Sequence, residues 1–139
     1  MSRMTTRILL AILVVEGALP GLWALLFPRS FYGDFPGLGR HWVSIDGPYN
    51  EHLVRDVGAL QLALAVVALV ALVMLTRASL VSAAAGWLVW TVPHLVYHFR
   101  HRHAFHSGDA PVVLGGFVAV AIVASVLLAR GEREPVSAA

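Results

Sequence analysis

Four long apolar stretches constrain the fold of this chain more than any other feature. They cover residues 8–27, 53–75, 80–99 and 110–129. An α-helix rises about 1.5 Å per residue, so about 20 apolar residues cross the roughly 30 Å hydrocarbon core of a bilayer. Because backbone polar groups in lipid must pair within their own segment, each stretch predicts a transmembrane helix. The expected fold class is all-α, a transmembrane four-helix bundle that forms one integral membrane domain over residues 1–139.

The composition supports this interpretation and excludes several classes of function. Apolar residues make up 58% of the chain and charged residues 13%, whereas a soluble domain has about 25% charged residues. No cysteine is present, which excludes disulfides, thiolate nucleophiles and Cys-ligated metals. All ten basic residues are arginines, which favours a bacterial, high-GC origin. They are scattered along the chain, so nucleic acid is not an expected partner.

The segments around the apolar stretches indicate how the helices are connected. Arg3 and Arg7 precede the first stretch as in a signal peptide, but Glu16 interrupts it, and we interpret it as a retained helix. Residues 28–52 form a long loop rich in aromatic residues, which is expected to lie on the membrane surface and cap the bundle. The connection between the second and third stretches is very short, which predicts an antiparallel hairpin. Residues 131–139 are expected to form a polar tail.

Four spans place both termini on one side of the membrane, and the arginines indicate which side. The side that contains the termini would hold five arginines, namely Arg3, Arg7, Arg77, Arg130 and Arg133. The other side would hold four, namely Arg29, Arg40, Arg100 and Arg102. The positive-inside rule then favours a multi-pass protein of the cell membrane with both termini cytoplasmic.

Glu16 is the ionisable residue nearest the middle of a predicted span. A charged group at that depth is costly, so it needs a reason to be there. Three roles remain open: a proton carrier, a counter-ion for Arg55, or a neutral acid hydrogen-bonded to Gln61 or to a group of the third stretch. In each case we expect the side chain to face the bundle rather than lipid. Arg55 is expected to extend to the lipid headgroups.

Two pairs of polar residues have the spacing of one helical turn. His52 and Asp56 are four residues apart at the start of the second stretch, and His94 and His98 are four apart at the end of the third. Residues four apart share a helix face, and the hairpin places these two ends side by side. The spacing therefore predicts one pocket beneath the long loop. Glu16, Asp56 and His94 are the candidate catalytic residues.

The same pairs are candidate metal ligands. His52, Asp56, His94 and His98 offer imidazole and carboxylate groups that suit a divalent Zn, Fe or Cu ion. No other cofactor, and no residue that would bind one, is indicated. The alternative is that histidines near a membrane boundary are solvated or hydrogen-bonded to carbonyls at a helix end. No strict metal motif decides between the two.

Small residues indicate close helix packing. Gly17 and Gly21 in the first stretch, and Gly115 with Ala119 in the fourth, are each four residues apart. This spacing lets helix backbones approach one another in a membrane. It is also compatible with contact between copies of the chain or with a partner protein.

The first half of the chain resembles small bacterial four-helix membrane proteins of the DoxX-like kind. The likeness rests on two segments, Phe27-Pro28 to Phe35-Pro36, and Arg55-Asp56-x-Gly58-Ala59-Leu60-x-Leu62-Ala63-Leu64. The resemblance implies a four-helix membrane bundle and no particular activity, because that group is functionally mixed. The histidines of the third stretch are not part of it.

Three classes of function remain open from the sequence. In the first, a polar His/Asp/Glu site near one membrane face binds a metal or performs acid/base chemistry on a lipophilic small molecule. In the second, the chain is a non-catalytic accessory subunit that packs against a partner. In the third, a homo-oligomer performs proton-coupled transport. Free carboxyl and imidazole groups facing a cavity favour the first class, whereas internally paired groups favour the second. The sequence leaves open whether the chain is an enzyme.

Overall fold

The chain folds into an all-α bundle of four long helices and one short one. A computed structural model describes residues 1–106 and 108–133, without the side chain of residue 133. The helices are α1 (Arg3–Leu26), α2 (Pro28–Asp34), α3 (Glu51–Met74), α4 (Arg77–Arg100) and α5 (Asp109–Arg133). Each long helix has the length and hydropathy needed to cross a bilayer. The expected four-helix bundle is confirmed, and the fold is that of a multi-pass membrane protein.

The helices begin before the apolar stretches that predict them, because polar residues cap their first turns. Ser2, Asn50 and Thr76 each accept a hydrogen bond from the backbone N–H three residues later, at 3.0, 3.1 and 3.2 Å. Such a bond pairs one of the free N–H groups at a helix start. At the other end of the chain, α5 continues to Arg133, so the helix includes the start of the predicted polar tail. Residues 134–139 of that tail lie outside the described part.

Helices α1 and α3 are in backbone contact at three glycines. A Cβ built on Gly58 would lie 2.7 Å from the Leu25 nitrogen and 2.9 Å from the Gly21 oxygen. A Cβ on Gly17 would lie 2.7 Å from the Gln61 oxygen. These separations leave no room for a side chain, so the expected close packing is confirmed for Gly17 and Gly21. Within the bundle it is wrong for Gly115, because a Cβ there would meet nothing within 4 Å.

Helix α4 packs mainly against α5, so the bundle consists of two tight helix pairs. The pairs meet in one apolar core at the end where the short connection joins α3 to α4. Trp87 is fully buried at its centre. The core contains Leu10 and Leu13 of α1, Leu64, Ala68 and Ala71 of α3, Leu80, Ala83, Ala84 and Trp87 of α4, and Val120, Ala124 and Leu127 of α5. By contrast, α1 and α5 touch each other little.

Residues 28–50, which we call the cover, close the opposite end of the bundle. After α2 come a two-stranded hairpin, β1 (Pro36–Gly37) and β2 (Arg40–His41), and a 3₁₀ turn at Ser44–Asp46. Gly37 and Gly39 have φ values of 96° and 73°, a backbone conformation that glycine adopts without strain. Aromatic residues of the cover pack on α1 and α3 in a second apolar cluster. The cover therefore caps the bundle, as expected.

The α1–α3 contact can be tested with matched glycine substitutions. Gly58→Ala should lower the free energy of unfolding by about 1–3 kcal/mol, because the added methyl overlaps the α1 backbone. Gly115→Ala should be neutral or stabilising, since its methyl meets open space and alanine favours the helix. Unfolding in detergent, followed by circular dichroism, measures both. Equal stability of the two variants would contradict the backbone contact.

Candidate functional site

A cavity of about 490 Å³ lies between the apolar core and the cover. Every long helix contributes to it. Its walls are mostly aromatic and aliphatic, and the polar side chains among them come from α1, α3, α4 and the cover. These are Glu16, Tyr32, Trp42, Asp46, Asn50, Gln61, Trp90, His94 and His98. An apolar cavity with a few polar groups directed into it is the usual form of a small-molecule site.

One wall of the cavity is a stack of rings. His94 and His98 are stacked with ring centroids 4.8 Å apart, and Phe117 of α5 stacks on both, at 4.6 and 5.4 Å. Trp90 continues the row, 4.9 Å from His94. The four-residue spacing in α4 aligns these rings along the helix. The predicted shared face of His94 and His98 is thus confirmed, and the stack holds both imidazoles at the cavity wall.

Four of the carboxyl, amide and imidazole side chains of the cavity make no hydrogen bond or ion pair with the part of the chain that the structure describes. They are Glu16, Gln61, His94 and His98. The Gln61 Oε1 and the His98 Nδ1 are in addition fully buried. Buried polar groups are nearly always hydrogen-bonded, so groups without a protein partner inside a membrane bundle require an explanation.

Glu16 lies at the edge of the cavity. It lines the cavity wall but is exposed rather than packed. It shares a helix face with Ile12 and Leu19, whose side chains are also exposed. The expected orientation is thus met in part: Glu16 faces the cavity, but at its rim. The ion pair with Arg55 and the hydrogen bond to Gln61, two of the roles that the sequence left open, are absent from the described residues.

Arg55 stabilises the end of α1 instead of reaching for headgroups. Its guanidinium donates to the backbone carbonyl of Leu25 and forms an ion pair with Glu51 at 2.9 Å. A cation at the carbonyl end of a helix is favoured by the helix dipole. This contact ties α3 to α1 beside the glycine contact.

The structure places His52 and Asp56 outside the cavity, so the expectation that they line it is wrong. They pair with each other at 3.4 Å, and their side chains are 87% and 61% exposed. Helix α3 turns Val54, Gly58 and Gln61 inwards. Asp56 lies two residues from Val54 and therefore points about 200° away from it. Asp56 is not a member of the site.

The predicted four-ligand metal site is not assembled. Within residues 1–106 and 108–133, no three His, Cys, Asp or Glu side chains are grouped so that they can hold a metal ion. The physical reason is the rotation of α3, which separates His52 and Asp56 from His94 and His98. The two imidazoles that remain contact each other as stacked rings.

Polar contacts fasten the cover to the helices around the cavity. Arg40 forms an ion pair with the buried Asp109 at the start of α5, at 3.4 Å. The Tyr97 hydroxyl of α4 donates to Asp46 at 3.3 Å. On α1, Trp23 donates to Ser30 at 3.2 Å. These contacts attach the cover to α1, α4 and α5, in addition to its packing on α3.

Two members of the site escaped the sequence reasoning. Phe117 is the only aromatic residue of the fourth apolar stretch, which is a signal that it has a defined partner. Asp46 is one of two acidic residues in the aromatic-rich segment 28–50, and its contact with Tyr97 needs the folded cover. His101, three residues after His98, stacks on Tyr97 with centroids 4.2 Å apart and stays exposed, so it does not line the cavity.

Comparisons of the chain with protein-family models, with curated proteins and with solved structures found no significant match.

The ion pair between Arg40 and Asp109 should hold the cover in place. Asp109→Asn should raise amide hydrogen exchange in residues 36–46 about fivefold, as expected for loss of about 1 kcal/mol. Arg40→Gln should give the same increase, which separates the ion pair from any effect on the start of α5. Asp56→Asn serves as the control and should change nothing in the cover. Unchanged amide hydrogen exchange in both ion-pair variants would show that the ion pair does not hold the cover in place.

Proposed function

We propose that the protein binds a lipophilic small molecule in the cavity and performs acid/base chemistry on it with Glu16 and His94. The single observation that carries the proposal is the set of unpartnered polar side chains in an otherwise apolar membrane cavity. Glu16, Gln61, His94 and His98 have no hydrogen-bond partner in the described chain, and all four line the cavity.

The energetics favour a ligand as the missing partner. An unpaired polar group buried in protein costs about 1–3 kcal/mol. The Gln61 Oε1 and the His98 Nδ1 are two such fully buried groups, which is a substantial cost for a domain whose total stability is roughly 5–15 kcal/mol. A structural role would pair them with each other or with backbone, as Arg55 is paired with Leu25 and Glu51. Their convergence on one cavity supports a bound molecule with polar groups of its own.

The ring stack indicates the shape of that molecule. His94, His98 and Phe117 present parallel faces, with interplanar angles of 20–29°. Flat rings favour offset-stacked or edge-to-face contacts with other rings. A planar ring with hydrogen-bonding groups therefore fits the wall better than a flexible aliphatic molecule does.

The polar side chains can divide the chemistry between them. A neutral imidazole has one N–H donor and one acceptor nitrogen, so His94 can give or take a proton. Glu16, from the neighbouring helix pair, is the second proton-exchanging group. Gln61 and His98 supply hydrogen bonds that orient the molecule.

The remaining interpretations have less support. Gly17, Gly21 and Gly58 are used inside the bundle, so they are not free to bind the partner of an accessory subunit. Transport would require an oligomer to complete a pathway. The resemblance to DoxX-like proteins stays a prediction and adds no activity to the proposal.

The binding proposal can be tested with 4-nitroaniline, a neutral planar ring that accepts energy from tryptophan. Trp42 and Trp90 line the cavity, so binding should quench tryptophan fluorescence in a saturable way. His98→Phe retains a ring but removes the hydrogen-bonding nitrogens, and Gln61→Leu retains size but removes the amide. Each should weaken binding about three- to tenfold, which corresponds to one hydrogen bond.

The matched control is His52→Phe, the same chemical change on the exposed face of α3. It should bind the ring as wild type does. If all four proteins showed equal affinity, or if none showed saturable quenching, the proposal would be rejected.

We further propose that both termini are cytoplasmic. The support is that five of the nine arginines outside the four apolar stretches lie on that side of the four-span topology. Reporter fusions at the two ends of the chain should both report the cytoplasm. Fusions that report opposite sides would contradict the four-span topology, and two periplasmic signals would contradict only the orientation.

A further inference from the structure

The cavity has an opening between α1 and α5, which we call the slot. Its edges are Glu16 on α1 and Val112 and Gly116 on α5. All three line the cavity, and all three are exposed. A Cβ on Gly116 would meet nothing within 4 Å. Because α1 and α5 contact each other little, helix packing does not close the cavity between these two helices.

The slot faces the side of the bundle that contacts lipid. On α1, Ile12 and Leu19 flank Glu16 and are 46% and 66% exposed. On α5, Val112 is 50% exposed and lies one turn from Gly116. Large exposed aliphatic side chains on a membrane helix mark its lipid-facing surface. The slot therefore lies at the boundary between this surface and the cavity.

The depth of the slot also indicates lipid. Glu16 lies ten residues before the end of α1, which is about 15 Å along the helix. Gly116 lies seven residues into α5, which is about 10 Å. Both depths fall inside a hydrocarbon core of roughly 30 Å. A molecule that extends through the slot at this level meets lipid chains and not water.

A second groove, between α3 and α4, does not offer the same route. It is lined by residues that include Leu60, Val89, Trp90 and His94. Trp90 and His94 line the groove and the cavity alike, so their stacked rings form the wall between the two. Passage there would require the ring stack to open.

We infer that the molecule bound in the cavity is an amphiphile whose apolar chain leaves through the slot into the bilayer. The inference rests on the proposed function and names its substrate class. A ring head with hydrogen-bonding groups occupies the cavity, and a long hydrocarbon chain extends past Gly116. The absence of a side chain at Gly116 leaves the width that the chain needs.

Glu16 supports an amphiphile rather than a lipid chain alone. A carboxyl at the rim of an apolar slot would repel a purely aliphatic occupant, because its polar atoms would lose all hydrogen bonding. A polar group of the head, held at the junction of head and chain, can bond to Glu16 while the chain continues outwards. The lipophilic chain also provides access, since the molecule reaches the site from the membrane in which it dissolves.

The inference can be tested with two compounds on the full-length protein in phosphatidylcholine nanodiscs. The first is 4-nitroaniline, the head alone, and the second is N-hexadecyl-4-nitroaniline, the head with a chain. Gly116→Leu should weaken binding of the chain-bearing compound at least about tenfold, because the leucine side chain fills the slot. Binding of the head alone should change less than about twofold. Gly115 is one residue away and does not line the cavity. Gly115→Leu should therefore leave the affinity for both compounds unchanged.

A photoreactive version locates the chain in the wild-type protein without any substitution. A diazirine placed on the chain close to the ring should label residues 12–19 of α1 and 112–119 of α5. An excess of 4-nitroaniline should abolish this labelling. Gly116→Leu could weaken the binding of both compounds equally. In that case, labelling of these two segments would still support passage of the chain through the slot, and labelling elsewhere would overturn it.

The outcomes separate the inference from the proposed function. Label on Leu60 and Val89, or on residues 42–50 of the cover, would overturn the slot and leave ring binding in place. Unchanged affinity of Gly116→Leu for the chain-bearing compound would also overturn it. Absence of saturable binding by either compound would reject the proposed function, and the slot with it.

Discussion

Backbone contact between α1 and α3 is the constraint on which the rest of the structure depends. Gly17 and Gly21 on one helix and Gly58 on the other approach so closely that no side chain fits between them. In a membrane, lipid tails are as apolar as the side chains, so close packing rather than hydrophobic burial drives such contacts. Arg55 adds a polar tie to the carbonyl end of α1. This pair of helices sets the rotation of α3, and with it the residues that α3 presents to the bundle.

The cavity follows from how the two helix pairs meet. Large apolar side chains around Trp87 fill the end near the α3–α4 connection, whereas at the other end the pairs are held apart under the cover. The Arg40–Asp109 ion pair and the contact between Tyr97 and Asp46 attach the cover to the second pair. A bundle that is dense at one end and roofed at the other leaves a protected space of about 490 Å³ near one membrane face. That arrangement suits a ligand site, because the densely packed end provides rigidity and the end under the cover provides room.

Helical spacing predicted half of the site and misplaced the other half for the same physical reason. Four-residue spacing puts His94 and His98 on one face of α4, and it equally puts His52 and Asp56 on one face of α3. Spacing alone does not say which face turns inwards. In α4 the inward face contains the histidines. Trp87 lies on the same face, two turns before His94, and is buried in the core. In α3 the glycine contact turns the face of Gln61 inwards, so the acidic pair faces outwards.

By itself the sequence determined the class of fold and the depth of each polar group. Hydrocarbon thickness and the cost of unpaired backbone groups allow few structures for four apolar stretches of this length. Position along a helix then fixes that Glu16 lies deep and that His94 and His98 lie near one end. Only the tertiary structure decided which polar groups meet, because that depends on helix rotation, on backbone contact and on one aromatic partner, Phe117, from a distant segment. These are properties of pairs of helices, and no single stretch of sequence contains them.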